Sequence, residues 1–196
     1  MYPASAPRRI ALLAIGLGLT GLFHATPLHA HPLPGSVLIF AQADSQLSLT
    51  ITVPLAELAL ATAVPDALPE GPLDPALANR LAGYFTSHMT VAQQGGPDLT
   101  FTLIRAATKP ATDDHLGSYT LVILDFTADL PATQPVQAPT LTPTLTLTYS
   151  AVMHRVRSHV ATVYLRNAGG APIGIGRIRP DLQSGLTRPL TIAIAT

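Results

Sequence analysis

The sequence predicts a mainly β protein, a two-sheet antiparallel sandwich of the immunoglobulin-like kind with one or two helices inserted. Several short runs alternate apolar and polar residues with a period of two, the signature of half-buried strands. Nineteen prolines punctuate the chain too often for long helices. Only two stretches, residues 55–62 and 75–87, place apolar side chains at helical spacing.

Residues 36–41 and 46–53 read as the first two strands. The second puts Leu47, Leu49, Ile51 and Val53 on one face and Ser48, Thr50 and Thr52 on the other. Asp44 marks the turn between them. Pro54 ends the strand, and a short helix follows with Leu55, Leu58 and Ala59 on one side. Residues 65–72 read as a loop. Asp74 can cap a helix that begins with Pro75 and runs to about Ser87, with Leu77, Leu81, Tyr84 and Phe85 on its apolar side. Strands return at 89–93 and 99–106, separated by Gly95-Gly96-Pro97-Asp98. Residues 119–127 form another, whose consecutive Leu121 to Leu124 predict burial on both faces. Residues 130–143 are a proline-rich connection. Strands at 144–152 and 160–166, the turn at Gly169-Gly170, and strands at 173–178 and 190–194 close the sheets. No internal repeat is visible.

The chain has 196 residues, 47% hydrophobic and 11% charged, a mixture that folds rather than staying disordered. With no cysteine, disulfides, zinc–thiolate sites and cysteine nucleophiles are excluded. The lack of tryptophan argues against a carbohydrate-stacking platform. A formal charge of zero hides an asymmetry. Residues 31–150 carry Arg80, Arg105 and Lys109 against ten acids, whereas residues 151–196 carry Arg155, Arg157, Arg166, Arg177, Arg179 and Arg188 against Asp181 alone. Such an end suits an anionic lipid surface or an acidic partner, unless its arginines pair with the earlier acids. No module for nucleic acid is present.

The first thirty residues read as an address. Arg8 and Arg9 precede an uncharged apolar stretch, residues 10–23. That is short of the roughly 20 residues of a membrane-spanning helix but suits a signal peptide. Cleavage after Ala30 would leave His31 at the front of a single domain, residues 31–196, exported to the periplasm or secreted. An uncleaved membrane anchor is the alternative. No later apolar run reaches membrane length, so the processed chain is expected to be soluble.

His31, His88, His115, His154 and His159 remain after processing. At a free N-terminus the amine and imidazole of His31 can chelate one metal ion, provided both are unprotonated. Nitrogen donors in a square plane favour Cu(II) or Ni(II). Pro32 has no amide N–H to ionise, which removes the rival chelate through the second residue. A third donor is needed, and His154 and His159 are the candidates. Five positions apart, they leave a regular strand on opposite faces and converge only through a bend or bulge. Met153 is a soft candidate for Cu(I). The bland reading is that His154 and His159 hydrogen-bond backbone carbonyls, that His88 serves the helix dipole, and that Asp114 and His115 are solvated in a loop. No Gly-x-Ser-x-Gly elbow, phosphate loop or His-Glu-x-x-His is present, and Glu57 and Glu70 are the only glutamates. Catalysis is not expected; a copper oxidase is the remote alternative.

Three segments taken together resemble a known family. They are His31-Pro-Leu-Pro-Gly-Ser-Val-Leu-Ile, Leu49-Thr-Ile-Thr-Val-Pro-Leu-Ala-Glu-Leu-Ala-Leu-Ala, and Tyr149-Ser-Ala-Val-Met-His-Arg-Val-Arg-Ser-His-Val-Ala-Thr-Val. In order and in kind they are similar to the extracytoplasmic N-terminal region of HupE/UreJ-like membrane proteins. The resemblance implies a link to uptake of nickel or another metal. The membrane helices of that family are missing here, so transport itself does not carry over. His31, His154 and His159 fall on its motifs, which implies a shared metal or structural role. The expectation is a periplasmic metal-binding or metal-delivery protein holding a Cu or Ni ion through those three residues. The alternative is a non-catalytic interaction domain that docks on a membrane permease or envelope partner through its basic C-terminal strands.

Overall fold

The computed structural model describes residues 34–131 and 144–194. The expected signal peptide (residues 1–30) with its expected cleavage after Ala30, His31, and most of the proline-rich connection lie outside the described residues. Residues 32–196 form a compact unit of their own.

The chain runs β1 (Ser36–Ala43), β2 (Gln46–Pro54), α1 (Leu55–Ala61), β3 (Gly71–Pro72), α2 (Pro75–Ser87), β4 (Met89–Gln93), β5 (Thr102–Asp113), β6 (Gly117–Asp129), β7 (Thr144–Tyr149), β8 (Ala161–Arg166), β9 (Ile173–Ile178) and β10 (Leu190–Ala193). Seven strands form one sheet in the order β3-β5-β6-β2-β1-β8-β9, and three form the second in the order β10-β7-β4. The expected sandwich is therefore present: mainly β, two sheets, two helices. Its pairing is antiparallel except between β1 and β8, which run parallel from Ser36 opposite Ala161 to Ala41 opposite Arg166.

The period of two decides what is buried. Leu47, Leu49, Ile51 and Val53 of β2 join Leu38 and Phe40 of β1, Leu145, Leu147 and Tyr149 of β7, and Val163 of β8 in one core. Asp44 takes a positive φ of 51° at the β1–β2 turn, a conformation its short polar side chain tolerates. In α2 the Asp74 carboxylate accepts from the Ala76 and Leu77 amides at 2.9 and 3.2 Å, and Pro75 sits where an amide would have no partner. Its buried stripe is Ala78, Leu81 and Phe85, while Leu77 and Tyr84 lie at the margin.

Three expectations need correction. The β5–β6 hairpin extends to Asp113 and Gly117, well beyond residue 106. Pro110 is tolerated because β3 pairs with β5 only at Ala107 and Thr108, leaving Pro110 on an outer stretch. Asp113 closes the turn by accepting from the amides of His115 and Leu116. In β6 the burial alternates: Val122, Leu124, Phe126 and Ala128 are buried, whereas Leu121 and Ile123 are half-buried, as for a sheet with one core-facing side. Strand β7 stops at Tyr149, and residues 151–158 are a series of turns. Ala151, Val152 and Met153 stay buried there, with Val152 at φ +67°.

The start of β1 is tight. A Cβ on Gly35 would lie 1.8 Å from the Val160 carbonyl oxygen, so only glycine lets the chain enter alongside β8.

Candidate functional site

His159 lies two residues before β8 and is 1% exposed. Its Nδ1 is 2.5 Å from Glu57 Oε2 on α1. Its Nε2 faces Ser36, 3.2 Å from the backbone nitrogen and 2.8 Å from Oγ. A backbone N–H can only donate, so Nε2 accepts and the ring proton resides on Nδ1, directed at the carboxylate. The Ser36 hydroxyl then donates to Nε2 and accepts from the Tyr149 hydroxyl at 3.0 Å. A continuous chain results, Tyr149 to Ser36 to His159 to Glu57. Burial drives the Tyr149 phenol pKa far up, so it stays a donor. Among the described residues the buried polar side chains are Ser36, Glu57, Thr108 and His159, and three of these belong to this one network.

A serine, a histidine and a carboxylate in series also describe a hydrolase relay. Here the serine is 1% exposed and its oxygen already holds Tyr149 and His159, so no substrate carbonyl reaches it. The network joins β1, α1, β7 and the entry to β8, and its chemistry is that of a satisfied buried polar cluster.

His154 lies on the turn segment and is exposed. Its ring stacks on His88, the C-cap of α2, with centroids 4.7 Å apart and planes at 26°. Tyr84 closes the group, 4.6 Å from His88 and 6.0 Å from His154. The pairing of β4 with β7 makes this meeting possible: Met89 sits opposite Tyr149, and the Ser150 amide donates to the His88 carbonyl at 2.8 Å. His88 Nδ1 is 2.9 Å from the Tyr84 carbonyl. A carbonyl only accepts, so Nδ1 carries the proton and Nε2 keeps its lone pair. That is how metal-ligating histidines are oriented. Desolvation, then the neighbouring His88 and Arg155, lower the His154 pKa below 6.5, against a backbone hydrogen bond at Ser150 that raises it. Partial burial raises the Tyr84 phenol pKa, opposed by the Val152 amide that donates to its hydroxyl at 2.7 Å.

The structure thus turns His159 into the core and His154 outward beside His88. Met153 is buried. His115 lies at the exposed β5–β6 turn with Asp114. Among the described residues no group of three or more His, Asp or Glu side chains gathers at metal-binding range. Sequence reading missed the partners His88, Ser36 and Glu57. For His88 the available signal was Tyr84 one helical turn earlier. For Ser36 and Glu57 no local pattern exists, since their meeting depends on the sheet.

Fold and site together define a mainly β, two-sheet protein with a paired-histidine surface site. No protein-family model matches the chain, and no curated protein matches it in sequence. No helix among the described residues is long and apolar enough to cross a membrane.

Proposed function

We propose that this protein binds or delivers Cu(II) or Ni(II) outside the cytoplasm, with His154 and His88 as imidazole donors and His31, freed by cleavage after Ala30, as the chelating front. The observation that carries the reading is the His88–His154 pair, in which His88 holds its proton on a carbonyl and offers Nε2. On this reading His159 does not ligate; both its nitrogens are engaged, and it anchors β1 beside the turn that carries His154. The likeness to HupE/UreJ-like extracytoplasmic regions points to the same class of cargo.

The test is titration of the processed chain, purified after export, with CuCl2 or NiCl2. One equivalent is expected to bind, with nitrogen hyperfine structure in the Cu(II) spectrum. His154→Ala and His88→Ala should each weaken binding about tenfold or more. Acetylating the N-terminal amine should do the same, and His159→Gln should leave the stoichiometry unchanged. A double His88→Ala, His154→Ala variant that binds like the parent would sink the reading. Mass spectrometry of the same material checks the new N-terminus.

A second reading, docking on a membrane permease or envelope partner, draws support from the basic C-terminal half. Among the described residues its arginines make no salt bridge; the ion pairs are Arg105–Asp125 and His159–Glu57. A salt-sensitive complex that forms equally well with chelator present would favour it.

A further inference from the structure

We propose that the loop between β9 and β10 docks this protein on a bilayer surface that carries anionic phospholipid. The loop, residues 179–189, is cross-braced by its own hydrogen bonds. Asp181 Oδ1 accepts from the amides of Gln183 and Ser184 at 3.0 and 2.8 Å and from the Ser184 hydroxyl at 3.0 Å. The Asp181 amide donates to the Leu186 carbonyl, the Gly185 amide returns to the Asp181 carbonyl, both at 2.8 Å, and Pro180 bridges to Thr187. The acid of the loop is thereby occupied with the loop's own donors.

Two leucines project from this frame, Leu182 at 80% and Leu186 at 71% exposure. Around them stand four exposed guanidinium groups. Arg177, Arg179 and Arg188 line a cleft of about 400 Å³ that also takes in Pro180, Asp181 and Leu182. Arg157 reaches over from the turn segment, its guanidinium 3.4 Å from where a Cβ on Gly185 would stand and its Nη1 3.5 Å from the Leu182 carbonyl. Among the described residues none of the four is in salt-bridge contact with an acid.

Apolar tips on a preordered loop, ringed by arginines, match the layered chemistry of a lipid interface. Leucines enter the acyl boundary while guanidinium groups bind phosphate oxygens at headgroup depth. The cleft takes a phosphate-sized anion, and a basic rim is drawn to a negative leaflet. An acidic protein would meet the charges, but two separate leucine points on one loop offer it little flat apolar area. The cross-braced frame also means that little ordering entropy is lost on docking. This surface is independent of the histidine pair.

The experiment is cosedimentation of the processed chain with vesicles of phosphatidylglycerol and phosphatidylethanolamine, and with vesicles of phosphatidylcholine alone, both with EDTA. Binding to the anionic vesicles is expected at low salt, with loss of at least tenfold in 0.5 M NaCl and none to the neutral ones. Leu182→Ser with Leu186→Ser should lower binding at least tenfold at unchanged melting temperature. Arg177→Gln, Arg179→Gln and Arg188→Gln should each cost about fivefold. Because the protein has no tryptophan, Leu182→Trp gives a single reporter whose emission should shift to the blue on anionic vesicles only. Equal binding to both vesicles, no binding to either, an unaffected leucine variant, or binding to soluble polyglutamate with no blue shift on vesicles would each overturn the proposal.

Discussion

His154 and His159 stand five positions apart and meet opposite fates, and the difference is one of partners. His159 finds a carboxylate and a serine inside the molecule and is held on both nitrogens. Replacing it with alanine strands the Glu57 carboxylate, 6% exposed, without its donor. His159→Ala should therefore cost about 3 kcal/mol in urea unfolding. Tyr149→Phe, which removes only the far end of the same chain, should cost about 1 kcal/mol. His154 lies on the surface. Its lowered pKa means the folded state holds the neutral ring more strongly than the unfolded chain does. The associated stability is complete above the ordinary histidine value and is lost as pH falls through the lower folded one. An NMR titration should place the His154 midpoint below 6.5, and His88→Ala should move it upward. The odd spacing predicts opposite faces only for a regular strand; residues 151–158 are turns, so partners rather than spacing set the two orientations. Those partners were not legible in the sequence, because Ser36, Glu57 and His88 come from elements whose adjacency is set by strand pairing.

At the scale of elements, local chemistry was the reliable guide wherever it was self-contained. The Asp74-Pro75 start of α2 is an example: cap, first-turn proline and apolar spacing all agree. Asp74→Ala should lower stability by about 1 kcal/mol, read as a shifted denaturant midpoint with unchanged slope. The β1–β2 hairpin was legible for the same reason. Local patterns failed where pairing overrules them. Nothing in residues 107–113 alternates cleanly, yet they form the far half of β5 because β6 supplies a complete hydrogen-bonding edge. Ala151 and Val152 read as more strand, but their burial is achieved in turns. Gly35 makes the sharpest demand on an element. Gly35→Ala drives a methyl group into the Val160 carbonyl and should cost about 3 kcal/mol or prevent β1 from seating, visible as loss of soluble protein or a lowered melting temperature.

The two proposed activities use different side chains, His88 and His154 for the ion and Arg157, Arg177, Arg179, Arg188, Leu182 and Leu186 for the lipid. An ion held by His88 and His154 would tie the end of α2 to the turn segment before β8. Binding confined to the folded state stabilises it by about 2.7 kcal/mol at a hundredfold excess over Kd, so the melting temperature should rise with metal and fall back with EDTA. The same rise in a His88→Ala, His154→Ala double variant would point to adventitious sites elsewhere.

The parallel neighbours β1 and β8 also impose an order on biogenesis. Synthesis from the N-terminus delivers Ser36 first, and Ser36 must wait for Ala161 before that border of the large sheet is sealed. Until then β1 presents a bare edge to its surroundings, the kind of edge that recruits wrong strands. Maturation should be governed by arrival of the last third of the chain, with a holding chaperone needed in the interval.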